Sequence, residues 1–404
     1  MAPPEVTEVR HPVDVARLTK YLSSLASPSQ GTTLGVNVPQ FGSSQFGIKQ
    51  FAFGQSNPTY LLDDAGKKFV LRRKPSPNSK LVSRSAHAIE REFFILRGIN
   101  VLNQGNTRKV PVPEVYALCE DESVIGYVFY VMEYIEGDQI KNPEMPGISN
   151  ADKQLYWESI MDTISAIHLL DGHKLINELP KAHFPQFHDL SKITGSSYFQ
   201  RQIKTLSGVE KLQRQTVPQI PDFEYICKWT LDNAPKDPSK LTLIHGDFKI
   251  DNVLFDTKTK KVKAVLDWEL CTFGHPLFDL ANFLQAFQFP NSLNRMLYHP
   301  QDTEIGMEDP QSLRDIQTRL RQYHDAYGAP SWDPKDPTNN ASDLWILGYV
   351  FGLVRLCVIS QGIAMRVEKG SASGNATGFA KLYIPLAELS VQTIKDGQKN
   401  SSKL

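Results

Sequence analysis

The period of the apolar residues changes once along this chain, near residue 135. Before it they come in short runs. "FGIKQFAFGQSNPTYLLDDAGKKFVLRRKP" (46–75) holds three strand-length runs split by "FGQSNP" and "DDAGK", both rich in turn formers. "VPVPEVYALCED" and "GYVFYVMEYIEG" add two more strands. Two helices join them: 14–26, with Leu18, Tyr21, Leu22 and Leu25 at helical spacing behind Asp14 as N-cap, and "SAHAIEREFFILRGI" (85–99). Past Gly137 the helical period takes over, in 151–171, "YFQRQIKTLSGVEKLQRQ", "FEYICKWTLDNA", "LFDLANFLQAFQF" and 341–367. The expected class is α+β. Residues 1–135 form an antiparallel sheet with one main helix, 136–398 a mostly helical part, and 399–404 a flexible tail.

The composition narrows the function classes. With 44 Lys and Arg against 44 Asp and Glu, the formal net charge is +0, and the chain lacks the basic excess of a nucleic-acid binder. Cys119, Cys227, Cys271 and Cys357 lie far apart with no CxxC pair, which reads as four structural thiols in a reducing compartment. The N-terminus has no apolar signal core. The apolar stretch 345–365 is interrupted by Arg355 and Gln361, so a buried helix is expected there and no membrane span. The last three residues, Ser402-Lys403-Leu404, match a peroxisomal address read by an import receptor.

"LIHGDFKIDNVLF" (243–255) packs His, Gly, two Asp, Lys and Asn between two apolar runs. Carboxylates held beside a core need a function or a partner, because burying one alone is costly. The pattern H-G-D-x-x-x-x-N resembles the catalytic loop of the aminoglycoside phosphotransferase and choline kinase family, relatives of the protein kinases. An alcohol attacking a phosphoryl group needs a carboxylate to orient it and take its proton, which is the role of Asp247. Mg²⁺ beside phosphates needs hard oxygen ligands, and Asn252 supplies a carbonyl. "AVLDWEL" (264–270) supplies a second ligand, Asp267, where protein kinases have D-F-G. Glu269 replaces the glycine, which is the small-molecule pattern and adds a carboxylate on the metal or substrate side. His245, Asp247 and Asp251 as transition-metal ligands would leave Asn252 and Asp267 without a role.

The resemblance extends to the first segment. It implies that "FAFGQSNPTYLL" covers the phosphates of ATP, through Gly54, Gln55, Ser56 and Asn57. In "FVLRRKP", alternation puts Val70, Arg72 and Lys74 on one face. Arg72 matches the phosphate-pairing cation, Lys74 is the second choice, and Arg73 is expected at the surface. Glu92 is the helix carboxylate that anchors Arg72, with Glu90 pointing elsewhere. The backbone of Glu133, Tyr134 and Ile135 matches the adenine-binding hinge.

Taken in order, "FGQSNPTY", "FVLRRKP", "AHAIEREF", "VMEYIEG", "YFQRQI", "LIHGDFKIDNVLF", "VLDWELCTFGHPLFDLA" and "LVRLCVISQGIAMR" are similar to the kinase-like domain fused to some acyl-CoA dehydrogenases, over about residues 40–385. The dehydrogenase portion has no counterpart in this sequence, and a separate acyl-CoA dehydrogenase is a possible partner. The resemblance implies Mg²⁺- and ATP-dependent phosphorylation of a hydroxylated fatty acid or its CoA ester, of 4-hydroxy type. Arg355 and Arg366, on one side of an apolar helix with Gly362, are expected to meet an anionic substrate or a structural carboxylate. Asp279 reads as a brace for the catalytic loop, and His168 and His275 as packing histidines. The alternatives are a pseudokinase scaffold, or an aminoglycoside or choline kinase, whose substrate site should be anionic.

Overall fold

The computed structural model describes residues 4–28, 30–42, 46–52, 57–75, 89–290, 292–293, 296, 315–370 and 378–401. The chain divides into two compact units. The first takes Met1–Lys141, Gln154–His188 and Lys249–Cys271; the second takes Asn142–Lys153, Asp189–Phe248 and Thr272–Leu404.

The first unit is built on a seven-stranded antiparallel sheet. Its strands are β1 (Val6–Thr7), β2 (Thr32–Leu34), β3 (Gly47–Phe51), β4 (Thr59–Asp64), β5 (Lys67–Arg73), β6 (Val115–Cys119) and β7 (Phe129–Glu133), in the order β1-β3-β4-β5-β7-β6-β2. The hairpin of β4 and β5 turns tightly, with Asp64 opposite Lys67. Helix α1 (Val15–Ser23) starts behind Asp14, whose carboxylate accepts from the Arg17 N–H at 3.0 Å. Alternation then sorts the sheet. Phe69 and Leu71 of β5 join Tyr60, Leu62, Val131, Leu18 and Leu22 in one buried core, which leaves Arg72 on the other face. That face receives α2 (Ile89–Gly105), whose first turn carries Glu90 and Glu92. Carboxylates there also complement the positive end of the helix. Residues 85–88, expected to be helical, lie outside the described residues.

The second sheet of this unit runs β11-β10-β8, from β8 (Asp138–Gln139), β10 (Val253–Asp256) and β11 (Lys261–Val265). Helices α3 (Asn150–Leu169), all but its first turn, and α4 (Gly172–Glu178) complete the unit. Ser159 of α3 accepts the Val262 N–H at 2.9 Å, and Tyr156 packs edge-on against Phe255.

The second unit is mostly helical: α5 (Leu190–Thr194), α6 (Tyr198–Gln213), α7 (Phe223–Asn233), α8 (Leu277–Leu284), α9 (Ile316–Tyr327), α10 (Trp345–Glu368) and α11 (Tyr383–Ser401), with a two-strand ladder of β9 (Leu243–Ile244) and β12 (Thr272–Phe273). Helix α10 is long and apolar enough to cross a membrane by length and composition, but 72% of its most apolar stretch is buried in the protein. Its glycines serve packing. Gly348 faces Leu277 and Ala281, Gly352 faces Gln285, and Gly362 faces Gln213. Residues 399–401, expected to open a flexible tail, instead end helix α11, in which Gly397 lies against Ile346. Ser402, Lys403 and Leu404 lie outside the described residues. None of the four cysteines forms a disulfide, and all are buried.

Candidate active site

In the first unit the strand cation and the expected carboxylates come together. Arg72 Nη1 lies 2.7 Å from Glu92 Oε1, and Nη2 lies 2.8 Å from Asp267 Oδ1 and 3.8 Å from Glu269 Oε2. The Glu92 side chain is only 2% exposed. Burial works against the charge of Arg72, but Glu92 and then Asp267 outweigh it and hold its pKa well above the ordinary value. One guanidinium thus meets three carboxylates, a surplus of two negative charges.

The "DWE" turn explains how Asp267 reaches Arg72. Asp267 takes a left-handed conformation, φ 69° and ψ 61°, which few residues other than Gly, Asn and Asp adopt readily. Trp268 next to it is buried. Its indole N–H donates to the Val265 carbonyl at 2.9 Å and its backbone N–H to Glu92 Oε1 at 3.2 Å. The tryptophan therefore anchors the turn that aims the carboxylate. Asn252 ends a short 3-10 turn, Ile250–Asn252, and its carbonyl accepts the Leu266 N–H at 2.8 Å, one residue before Asp267. Asn57 donates to Glu269 Oε2 at 3.1 Å. Gly54, Gln55 and Ser56 lie outside the described residues.

The second unit holds Asp247. Its backbone N–H donates to His245 Nδ1 at 3.2 Å. Asp279 of α8, fully buried, accepts from the backbone N–H groups of His245 at 2.7 Å and Gly246 at 3.0 Å. This is the bracing role expected of Asp279. Gly246 sits at φ +84°, a region that favours glycine. Arg355 donates to Asn282 Oδ1 at 2.9 Å and to the Gly246 carbonyl at 3.1 Å, and lies 5.0 Å from the Phe278 ring centre. Its partners are thus neither a free anion site nor the expected carboxylates.

The profile of the phosphotransferase enzyme family matches residues 47–329. The chain belongs to this family. The chain is 32% identical over 393 residues to acyl-CoA dehydrogenase family member 11 of Mus musculus, covering 96% of this chain and 44% of that protein. It therefore spans less than half the length of the relatives it matches in this group. Among solved structures it is similar to a candidate aminoglycoside phosphotransferase from Ralstonia eutropha, with TM-score 0.69 and 28% identity, covering 95% of this chain and 99% of that one. It shares its fold with a thermostable mutant of aminoglycoside phosphotransferase APH(4)-Ia in complex with ADP and hygromycin B, with TM-score 0.51 and 14% identity, covering 87% and 95%. The α+β, kinase-like fold expected from the sequence is the fold of these neighbours.

Several expectations about the chain change with the structure. Arg73, expected at the surface, is 2% exposed. It donates to the Tyr60 hydroxyl at 3.0 Å and stacks 3.9 Å from the Tyr127 ring centre. Alternation aims it at the core face, and two aromatic rings supply what its charge needs there. Glu90, expected to point elsewhere than Arg72, does so and pairs with Lys74, which therefore already has a carboxylate partner. Glu90 and Glu92 stand on the order of 200° apart around the helix, yet the long Lys74 side chain bridges the difference. The Glu133 side chain is also engaged, accepting the Glu114 N–H at 3.1 Å, while the Glu133 N–H donates to the Glu114 carbonyl at 2.8 Å. Tyr134 follows, with Lys68 5.5 Å over its ring, and then Ile135. His275 is fully buried; Nδ1 accepts from Leu277 and Nε2 meets Asn339 Oδ1 at 3.0 Å, a packing role. His168 is also fully buried.

The residues present fit a nucleotide with its metal. Among the described residues no three His, Cys, Asp or Glu side chains form a ready cage. Mg²⁺ characteristically uses one or two carboxylates and completes its shell with phosphate oxygens and water. The negative surplus around Arg72 suits a divalent cation. Asn57 Oδ1 is buried without a hydrogen-bond partner, whereas Glu92 and Arg72 face the buried Tyr130 hydroxyl. Such an orphaned atom in a native protein calls for a bound group or water.

Proposed function

We propose that this protein is a Mg²⁺- and ATP-dependent kinase of a small-molecule hydroxyl. The observation that carries the reading is Arg72 held between Glu92 and Asp267, in a chain whose Asp247 loop is braced by Asp279. Asp247 orients the acceptor hydroxyl and takes its proton as the oxygen bonds to the terminal phosphorus of ATP and the bond to ADP breaks. Asn252 and Asp267 would hold Mg²⁺, which when bound neutralises phosphate charge. Arg72 would turn the arm now on Asp267 to phosphate oxygens as Asp267 goes to the metal, while Glu92 keeps the other arm fixed. Asn57 would stand at the phosphates and residues 133–135 would receive the adenine.

The acceptor class we propose is a hydroxylated fatty acid or its CoA ester, of 4-hydroxy type. Its support is the similarity to acyl-CoA dehydrogenase family member 11. Arg366 is the candidate contact for its anionic end, and a separate dehydrogenase is a candidate partner. An import receptor reading Ser402-Lys403-Leu404 would place this activity in the peroxisome. The test is ADP release from Mg-ATP with 4-hydroxy acids, their CoA esters, choline and an aminoglycoside, with Asp247→Asn as control. Release with a hydroxy acid or ester, abolished in the variant, is expected. ATP binding with no release for any acceptor would favour the scaffold alternative.

A further inference from the structure

The peptide unit immediately before Asp247 is held at both ends. Its N–H, on Asp247, donates to His245 Nδ1, and its carbonyl, on Gly246, accepts from Arg355 Nη2. The units on either side are held as well. Asp279 takes the N–H groups of His245 and Gly246, and Asn282 Nδ2 donates to the Phe248 carbonyl at 2.9 Å. Asn282 Oδ1 in turn receives Arg355 Nη1. Four backbone groups of the loop are thus fixed from α8, at Asp279 and Asn282, and from α10, at Arg355. A glycine at φ +84° leaves the neighbouring peptide planes easy to rotate, and a charge-assisted bond to its carbonyl selects one orientation.

We infer that Arg355 is a positioning residue for Asp247: it fixes the peptide plane from which the carboxylate projects, and it does not bind the anionic end of the substrate. Both terminal nitrogens of Arg355 already have protein acceptors, and Phe278 covers the guanidinium. The inference rests on the reading of Asp247 as the group that takes the acceptor's proton. Orientation errors of about an ångström cost roughly a hundredfold in rate, so removing the clamp should act on turnover and spare binding.

The experiment compares wild type, Arg355→Met and Arg355→Lys, with nucleotide-binding stoichiometry as the control for folding. Steady-state ADP release should show kcat lowered roughly ten- to a hundredfold in Arg355→Met, with KM for the acceptor nearly unchanged. Arg355→Lys should fall between, since one ammonium reaches one of the two acceptors well. It also serves if the methionine variant does not fold. Hydrogen exchange of peptides covering 243–255 should be faster in both variants. A raised KM for the acceptor with kcat intact would overturn the inference and make Arg355 a ligand contact. Exchange identical to wild type would overturn it too. If wild type turns over no acceptor, the proposed function fails by itself, and the exchange measurement still decides whether Arg355 holds the loop.

Discussion

Arg72 and Asp267 are joined by an ion pair of 2.8 Å across 195 positions of sequence, and the other arm of the same guanidinium holds Glu92 at 2.7 Å. A strand residue thereby fixes a helix carboxylate and a carboxylate in a left-handed turn at once. A planar fork gives each carboxylate its own terminal nitrogen, whereas an ammonium would have to share one. Arg72→Lys should keep the fold and weaken Mg-nucleotide binding about tenfold, or about 1.4 kcal/mol, by titration calorimetry. Arg72→Met should also lower stability by about 3 kcal/mol, since it leaves Glu92 buried and unpaired. Unchanged nucleotide affinity in both variants would remove Arg72 from the site.

Asp267 and Asp247 should separate by what they lose. Asp267→Ala removes a proposed metal ligand, so Mg-nucleotide binding should weaken at least tenfold. Asp247→Asn should bind the nucleotide as wild type does. Equal weakening in the two variants would contradict the division of roles.

Gly35 should tolerate no side chain. It follows β2, donates its N–H to the Tyr116 carbonyl at 2.8 Å, and a Cβ built on it would stand 1.6 Å from the Val115 carbonyl oxygen. Gly35→Ala should lower stability by about 2 kcal/mol or more, read from the denaturant midpoint. A wild-type midpoint would show that the β2 edge yields freely.

His324 should make stability fall in weak acid. Its Nδ1 meets the Ala329 carbonyl at 2.9 Å, and Nε2 accepts the Ala341 N–H at 2.9 Å, which defines a neutral ring. Burial lowers its pKa below 6.5, although the Ala329 carbonyl opposes the shift. Above 6.5 the ring is neutral in both states and its contribution is whole. As pH falls below 6.5 the unfolded chain takes up the proton first, so stability is lost down to the lower, folded-state pKa. The unfolding midpoint should drop between pH 7.5 and 5.5, and drop less in His324→Gln. Equal slopes would assign the acid sensitivity elsewhere.

The long elements were legible because each satisfies one period. Asp14 caps α1 where the spacing of Leu18, Tyr21 and Leu22 predicts it, and β3, β4 and β5 follow the three apolar runs of 46–75. β1, β2 and β8 were not legible: two or three residues show no period, and they are strands only because a neighbour offers a ladder. The side-chain roles divide in the same way. Asp247, Asn252 and Asp267 stand out because their motifs resemble the family's catalytic loop and metal-binding turn. Arg355 carries no such signal, because its acceptors are a backbone carbonyl and an amide.

The sequence by itself determined the α+β class through its local period and the family through the resemblance of its motifs, and it named the residues proposed to hold a phosphate, a metal or a proton. Only the tertiary structure decided the partners. Alternation alone offered both Arg72 and Lys74, and the packing of α2 on β6 and β7 of the same sheet gave Glu92 to the first and Glu90 to the second. It also took Arg73 into an aromatic core and Arg355 onto the loop of Asp247. A buried charge takes the partner that three-dimensional packing brings within reach, and that neighbour stands tens to hundreds of positions away in the chain.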